Sequence, residues 1–202
     1  MSEAGAGRSR GLDGGERVIL LDECASPIGT ADKLRVHNES TALHLAFSCH
    51  LFDREGRVLV TRRALSKATW PGVWTNSFCG HPEPGEPTDA AVERRARQEL
   101  GVSVRGLRLV DPRFRYRAVD PSGIVENEFC PVYTATVSGT LSPDPVEVME
   151  WAWVEPASLA RATMLTPFAF SPWMVLQVQA MGWATTRDFD DVRGCGPGAP
   201  GT

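Results

Sequence analysis

The chain has 202 residues, 42% of them hydrophobic, with 21 basic against 25 acidic side chains and a formal net charge of -4. That length suits one well-buried domain, and the near-balanced charge excludes the long-range attraction by which basic proteins gather nucleic acid or anionic membranes. No run approaches the ~20 apolar residues of a membrane span, and the start, rich in Gly, Ala, Ser and Arg, lacks the apolar centre of a secretory signal. The sequence therefore predicts a cytoplasmic protein with neither a nucleic-acid nor a membrane partner.

Small and polar residues over 1–16 and 187–202 predict two disordered tails, since such side chains cannot offset the entropy of ordering. One domain over 17–186 remains. Residues 18–21 read as a strand, and 44–52 as another, continuous one whose Leu45, Phe47, Cys49 and Leu51 alternate onto a core face. Asp53-Arg54-Glu55-Gly56 then turns the chain into a hairpin partner at 57–61. Residues 88–100 read as a helix, with Thr88 as N-cap, Ala91, Ala96 and Leu100 on one face, and Gly101 as its stop. Strand-like runs follow at 113–118, 126–137 and 148–154, and 171–181 reads as a last helix entered through Pro172. Mixed strands and few helices predict an α+β fold, a sheet flanked by helices.

The five cysteines include no C-x-x-C pair, so reduced thiols are expected. Cys24 and Cys49 read as packing residues and Cys195 lies in the Gly/Pro-rich tail. Cys79 has more reactive company. It stands two residues before His81, and Glu126 stands two before Glu128; on strands, each such pair projects from one face. Val125, Phe129, Val132 and Tyr133 make the acidic segment an apolar strand, where two neighbouring carboxylates need a cation or a shared proton to offset desolvation and repulsion. A thiol, an imidazole and two carboxylates suffice for a metal and an acid/base pair.

Gly80, Glu86, Arg94, Glu99, Gly101 and Val102 fall at the spacing of the Nudix box, G-x5-E-x7-R-E-U-x-E-E-x-G-U, which this segment resembles. Arg95 and Gln98 stand where that family has glutamates, and losing two acids weakens a hydrolase's grip on several hard cations. Cys79-Gly80-His81-Pro82, Glu126-Asn127-Glu128, Cys130-Pro131, Phe114-Arg115-Tyr116, Ser171-Pro172-Trp173-Met174, the run from Thr61 to Lys67 and Trp70-Pro71-Gly72-Val73-Trp74 widen the match. Together they resemble type I isopentenyl-diphosphate Δ-isomerase, a family with the Nudix-like mixed β-sheet sandwich that isomerises rather than hydrolyses.

The resemblance implies one divalent ion, manganese, zinc or magnesium, among His37, His44, His81, Glu126 and Glu128. It implies magnesium between the substrate diphosphate, Glu99 and the backbone carbonyl of Cys79. Lys33, Arg63, Lys67 and Arg95 would bind the diphosphate, and Cys79, Glu128 and Tyr116 would move protons, the thiol pKa being lowered by magnesium, His81 and basic neighbours. Trp173 would face the developing cation, with Trp74 lining the pocket. His50, Trp151, Trp153 and Trp183 read as structural, and Arg62 and Arg94 as solvated. The substrate would be a small diphosphate, isopentenyl or dimethylallyl, and the protein a monomer or homodimer. A Nudix pyrophosphohydrolase and a non-catalytic metal-binding module are the alternatives.

Overall fold

The computed structural model describes residues 16–183. Of the expected tails, 1–15 and 187–202, with Cys195, lie outside the described residues, as do 184–186 of the expected domain.

The elements run, in chain order, β1 Arg17–Leu21, β2 Pro27–Asp32, α1 Lys33–Val36, β3 His44–Leu45, β4 Phe47–Phe52, β5 Val58–Arg63, β6 Trp74–Thr75 and β7 Phe78–Gly80. After these come α2 Thr88–Leu100, β8 Ser103–Asp111, β9 Arg115–Val119, β10 Val125–Phe129, β11 Val132–Ser138, β12 Val148–Val154, α3 Pro156–Leu165, a 3-10 turn Pro167–Ala169 and α4 Pro172–Ala180. Two sheets result. One has the order β2-β1-β3-β10-β9, and the other β12-β5-β4-β11-β8, with β6 beside β5 and β7 beside β4. The α+β expectation holds.

The second sheet is covered on both faces. Phe47, Cys49 and Leu51 of β4 pack with Val92, Ala96 and Leu100 of α2, while Val58 and Val60 of β5 pack with Leu159 of α3 and Trp173, Met174 and Val178 of α4. Ser48 and His50 are therefore as buried as the apolar residues they alternate with. The predicted strand 44–52 is two strands. The chain leaves the first sheet at Leu45 and enters the second at Phe47, and the predicted run 126–137 divides in the same way across Cys130-Pro131. The two crossings run in parallel, tied by Ala46 N–H to Phe129 O at 2.9 Å and Ser48 N–H to Pro131 O at 3.1 Å. Strands that bend from one sheet into another make the corners of such packings, and here the corner carries the site.

Helix α2 has the predicted bounds but not the predicted cap. Pro87 is the N-cap, without a side-chain hydrogen bond, and Thr88 is the first helical residue. Gly101 ends the helix at φ 68°, its N–H reaching Ala96 and Arg97 carbonyls, the left-handed stop that glycine adopts most cheaply. Cys24, expected in the core, is exposed in the turn after β1, where its N–H is bonded to Asp22 Oδ1 at 2.9 Å.

Candidate active site

At the corner, register sets the neighbours. Glu128 on β10 lies opposite His44 on β3 and opposite Tyr116 on β9, so an imidazole, a carboxylate and a phenol stand in one row across three strands. Cys79 on β7 lies opposite Ser48 on β4, beyond the bend. His37 enters from the end of α1 and His81 follows β7.

The three imidazoles converge, with ring centroids 5.1 Å apart for His37 and His44, 5.2 Å for His44 and His81, and 5.9 Å for His37 and His81. One donor atom from each of them and one from Glu128 lie within 4.8 Å of one another. His44 Nδ1 lies 2.9 Å from the Ala42 carbonyl, an acceptor only, so the proton belongs on Nδ1 and the Nε2 lone pair faces inward. It meets Glu128 Oε1 at 3.5 Å, as His37 Nε2 meets Glu126 Oε2 at 3.1 Å. His37 Nε2, His44 Nε2 and Glu126 Oε2 are buried without hydrogen-bond partners. Lone pairs and carboxylates facing one another in a dry place need positive charge between them, and imidazole nitrogen with carboxylate oxygen suits a borderline or hard divalent ion. The donor set fits the expected ion. Glu126 stands at its edge, outside the tight group of four.

Burial opposes the charge on Glu128, but the neighbouring imidazoles of His44 and His81 outweigh it and hold the carboxyl well below its usual range. His81 Nε2 lies 3.1 Å from Oε1, whereas Tyr116 donates to Oε2 at 2.9 Å. Burial first, and then Glu128, push the phenol far up, so Tyr116 stays a donor. Cys79 departs from the sequence expectation. Burial, aided by Glu128, pushes its thiol up to about 12, against hydrogen bonds with Ser48 and Asn76. Asn76 gathers three donors on one amide oxygen: Trp173 Nε1 at 2.9 Å, Thr75 Oγ1 at 2.9 Å and Cys79 Sγ at 3.3 Å. It thereby links the thiol to the indole, whose ring lies 5.5 Å from that of Tyr116. Trp74 is half-buried against the same apolar cluster.

Three of the four basic residues expected at the diphosphate share a network of acids. Arg95 is bonded to Glu99 at 2.9 Å and to Glu147 at 3.2 Å, Lys67 pairs with the other oxygen of Glu147, and Lys33 with Glu16, which also faces Arg95 at 3.7 Å. Arg63 stands apart, its guanidinium carbon 5.6 Å from the Trp173 ring centre. Burial raises the Glu99 carboxyl despite Arg95, and Glu147 adds to the rise. Arg94, read as solvated, is half-buried, with Nε 2.8 Å and Nη2 2.7 Å from the Glu86 carboxylate, which ties the loop before α2 to the helix. His50 lies outside the cluster, 3.0 Å from Gln177 Oε1.

The NUDIX domain family matches residues 42–174. An isopentenyl-diphosphate Delta-isomerase of Leifsonia xyli subsp. xyli is 62% identical over 168 residues, 82% of this chain and 91% of that protein. The enzyme of the same name from Agromyces mediolanus is 62% identical over 166 residues, 82% of this chain and 81% of that protein. The chain belongs to the isopentenyl-diphosphate Delta-isomerase family. Among solved structures, one from Deinococcus radiodurans superimposes with a TM-score of 0.64 at 21% identity, covering 82% of this chain and 98% of its own. A MutT protein from Methanosarcina mazei Go1 gives 0.54 at 15% identity over 68% and 91%, and at such identities these likenesses speak for the fold alone.

The geometry adds residues to this isomerase-family site that the sequence reading passed over. Ser48, Thr69, Asn76 and Glu147 each touch an expected site residue. Thr75, Asn76 and Ser77 are buried polar residues separated from Cys79 by Phe78 alone, and that polar run was the available signal. Glu147 had none, for its acid lies among acids in an ordinary loop.

Proposed function

We propose that the chain interconverts isopentenyl and dimethylallyl diphosphate through protonation and deprotonation on opposite faces of the allylic carbons, with Glu128 and Tyr116 on one side and Cys79 on the other. The placement of Glu128 carries this reading: one carboxylate oxygen faces the histidines and the other takes the Tyr116 hydrogen bond. An alkene is a weak base, so its protonation needs a positioned acid close to a proton reservoir. Tyr116 and Glu128 supply both. The proton goes to the terminal carbon, and the tertiary cation that forms lies against the Trp173 indole, an attraction of about 2 kcal/mol where water is excluded. Cys79 takes the proton from the second carbon. Its raised pKa keeps the thiol protonated, the form needed in the reverse direction, while the Ser48 hydroxyl, 3.2 Å from Sγ, is the group placed to stabilise the thiolate needed in the forward one.

A divalent ion held by His37, His44, His81, Glu126 and Glu128 would make a proton on Glu128 more acidic, and magnesium at Glu99 and the Cys79 carbonyl would screen the diphosphate charge. Lys33, Arg63, Lys67 and Arg95 bind the diphosphate in this proposal, the three with acid partners exchanging them for phosphate oxygens. The near-balanced charge supports a small-molecule enzyme of the cytoplasm, monomeric or homodimeric, and no helix of the described residues is long and apolar enough to cross a membrane.

The test is incubation of the protein with isopentenyl diphosphate and magnesium in deuterium oxide, followed by NMR. Dimethylallyl diphosphate carrying solvent deuterium is expected; release of phosphate with no isomer would overturn the proposal. Cys79→Ala and Glu128→Gln should each abolish that signal while keeping the folded circular dichroism spectrum.

A further inference from the structure

The loop between β5 and β6 is built around a strained residue. Trp70 is buried and has φ 43°, a left-handed conformation that costs a bulky side chain on the order of 1–3 kcal/mol and persists only where its surroundings enforce it. They do so from two sides. The Trp70 ring packs edge-on against Trp173, with centroids 5.4 Å apart. Arg63 Nε lies 3.1 Å from the Thr69 carbonyl and 3.2 Å from that of Trp70, and its Nη2 lies 2.8 Å from the Thr69 carbonyl and 3.2 Å from Thr69 Oγ1.

The result is one hydroxyl aimed at one carboxylate. Thr69 Oγ1 accepts from Arg63 and donates to Glu126 Oε1 at 2.6 Å. That occupies Oε1, while Oε2 stays buried and unpartnered, 3.1 Å from His37 Nε2. We propose that Thr69 is a positioning residue for Glu126: by holding Oε1 it makes the carboxylate present Oε2 alone to a divalent cation among the histidines, and the strained turn at Trp70 with Arg63 keeps the hydroxyl in place. This rests on reading the cluster of His37, His44, His81 and Glu128 as a cation site. The hydroxyl removes the two-oxygen grip that Glu126 would otherwise offer and spares the ion the cost of ordering a free carboxylate. Partners of this kind, one shell out from the ion, are worth about 10- to 100-fold in metal affinity.

The experiment titrates the full chain with Mn2+ alone, following free Mn2+ by electron paramagnetic resonance, for the wild type, Thr69→Val, Thr69→Ser and His37→Ala. Thr69→Val keeps the shape and loses the donor; about 10- to 100-fold weaker binding is expected, with Thr69→Ser close to wild type. Thermal unfolding without metal is measured beside it, because a merely structural threonine would lower that temperature and leave the affinity unchanged. If Thr69→Val does not fold, Thr69→Ala carries the same comparison. Wild-type affinity in the variant that lacks the hydroxyl would overturn the proposal, whereas wild-type protein binding Mn2+ no better than His37→Ala would overturn the cation-site reading beneath it.

Discussion

Tyr116 donates a 2.9 Å hydrogen bond to Oε2 of Glu128, while His81 and His44 lie on the side of Oε1. The phenol is thus separated from the histidine cluster by the carboxylate it touches. Tyr116→Phe should leave Mn2+ affinity and substrate KM nearly unchanged and lower kcat by about 100-fold or more, the usual contribution of a positioned acid. Steady-state kinetics with deuterium incorporation checks it, and a change in KM alone would contradict it.

Glu147 divides its two oxygens between Lys67 and Arg95, so it both orders the cations and competes with any anion that seeks them. A unit charge about 4 Å away is worth about 4 kcal/mol in an effective dielectric near 20, and less once solvent screens it; the side-chain entropy of an unheld lysine is about 2 kcal/mol. Competition wins. Glu147→Gln should bind inorganic pyrophosphate about 10-fold more tightly without metal, as isothermal titration calorimetry would show.

A Cβ placed on Gly80 would lie 2.8 Å from Arg95 Cγ and 2.9 Å from Phe47 Cζ. Phe47 is fully buried and cannot yield, so the leading glycine of the box is required by close packing. Overpacking of this kind costs about 1–3 kcal/mol. Gly80→Ala should therefore unfold at lower urea concentration and, by moving Arg95, raise the KM for the diphosphate substrate.

His50 is fully buried, with Gln177 Oε1 at 3.0 Å and the Trp183 ring 5.2 Å away, and burial lowers its pKa from 6.5 to about 4. Between those values the unfolded chain holds a proton that the folded chain refuses. The stability associated with neutral His50 is complete above pH 6.5 and is lost as pH falls toward 4, a total of about 3 kcal/mol. Urea unfolding of His50→Asn should show lower stability at neutral pH but a shallower decline between pH 6.5 and 4.5 than the parent.

The local half of this architecture can be read from the chain. Residues at two-residue spacing share a strand face, so the pairing of Glu126 with Glu128 follows from period alone, and the end of α2 from the Gly101 stop. What period does not carry is which sheet a strand belongs to. The runs 44–52 and 126–137 look continuous because buried strands stay apolar through a bend, yet both cross between sheets at Ala46 and at Cys130-Pro131.

That crossing decides which of these residues meet. Cys79, His81, Glu126 and Glu128 at two-residue spacing suggest a metal and an acid/base pair, and the family resemblance supplies the remaining site residues. The row His44–Glu128–Tyr116 comes from register between strands far apart in sequence, the acid partners of Arg95 and Lys67 from a loop that returns to them, and the pKa of Cys79, about 12, from burial. Register, ion pairing and desolvation depend on what packs against a residue in space, and neighbours along the chain do not record it.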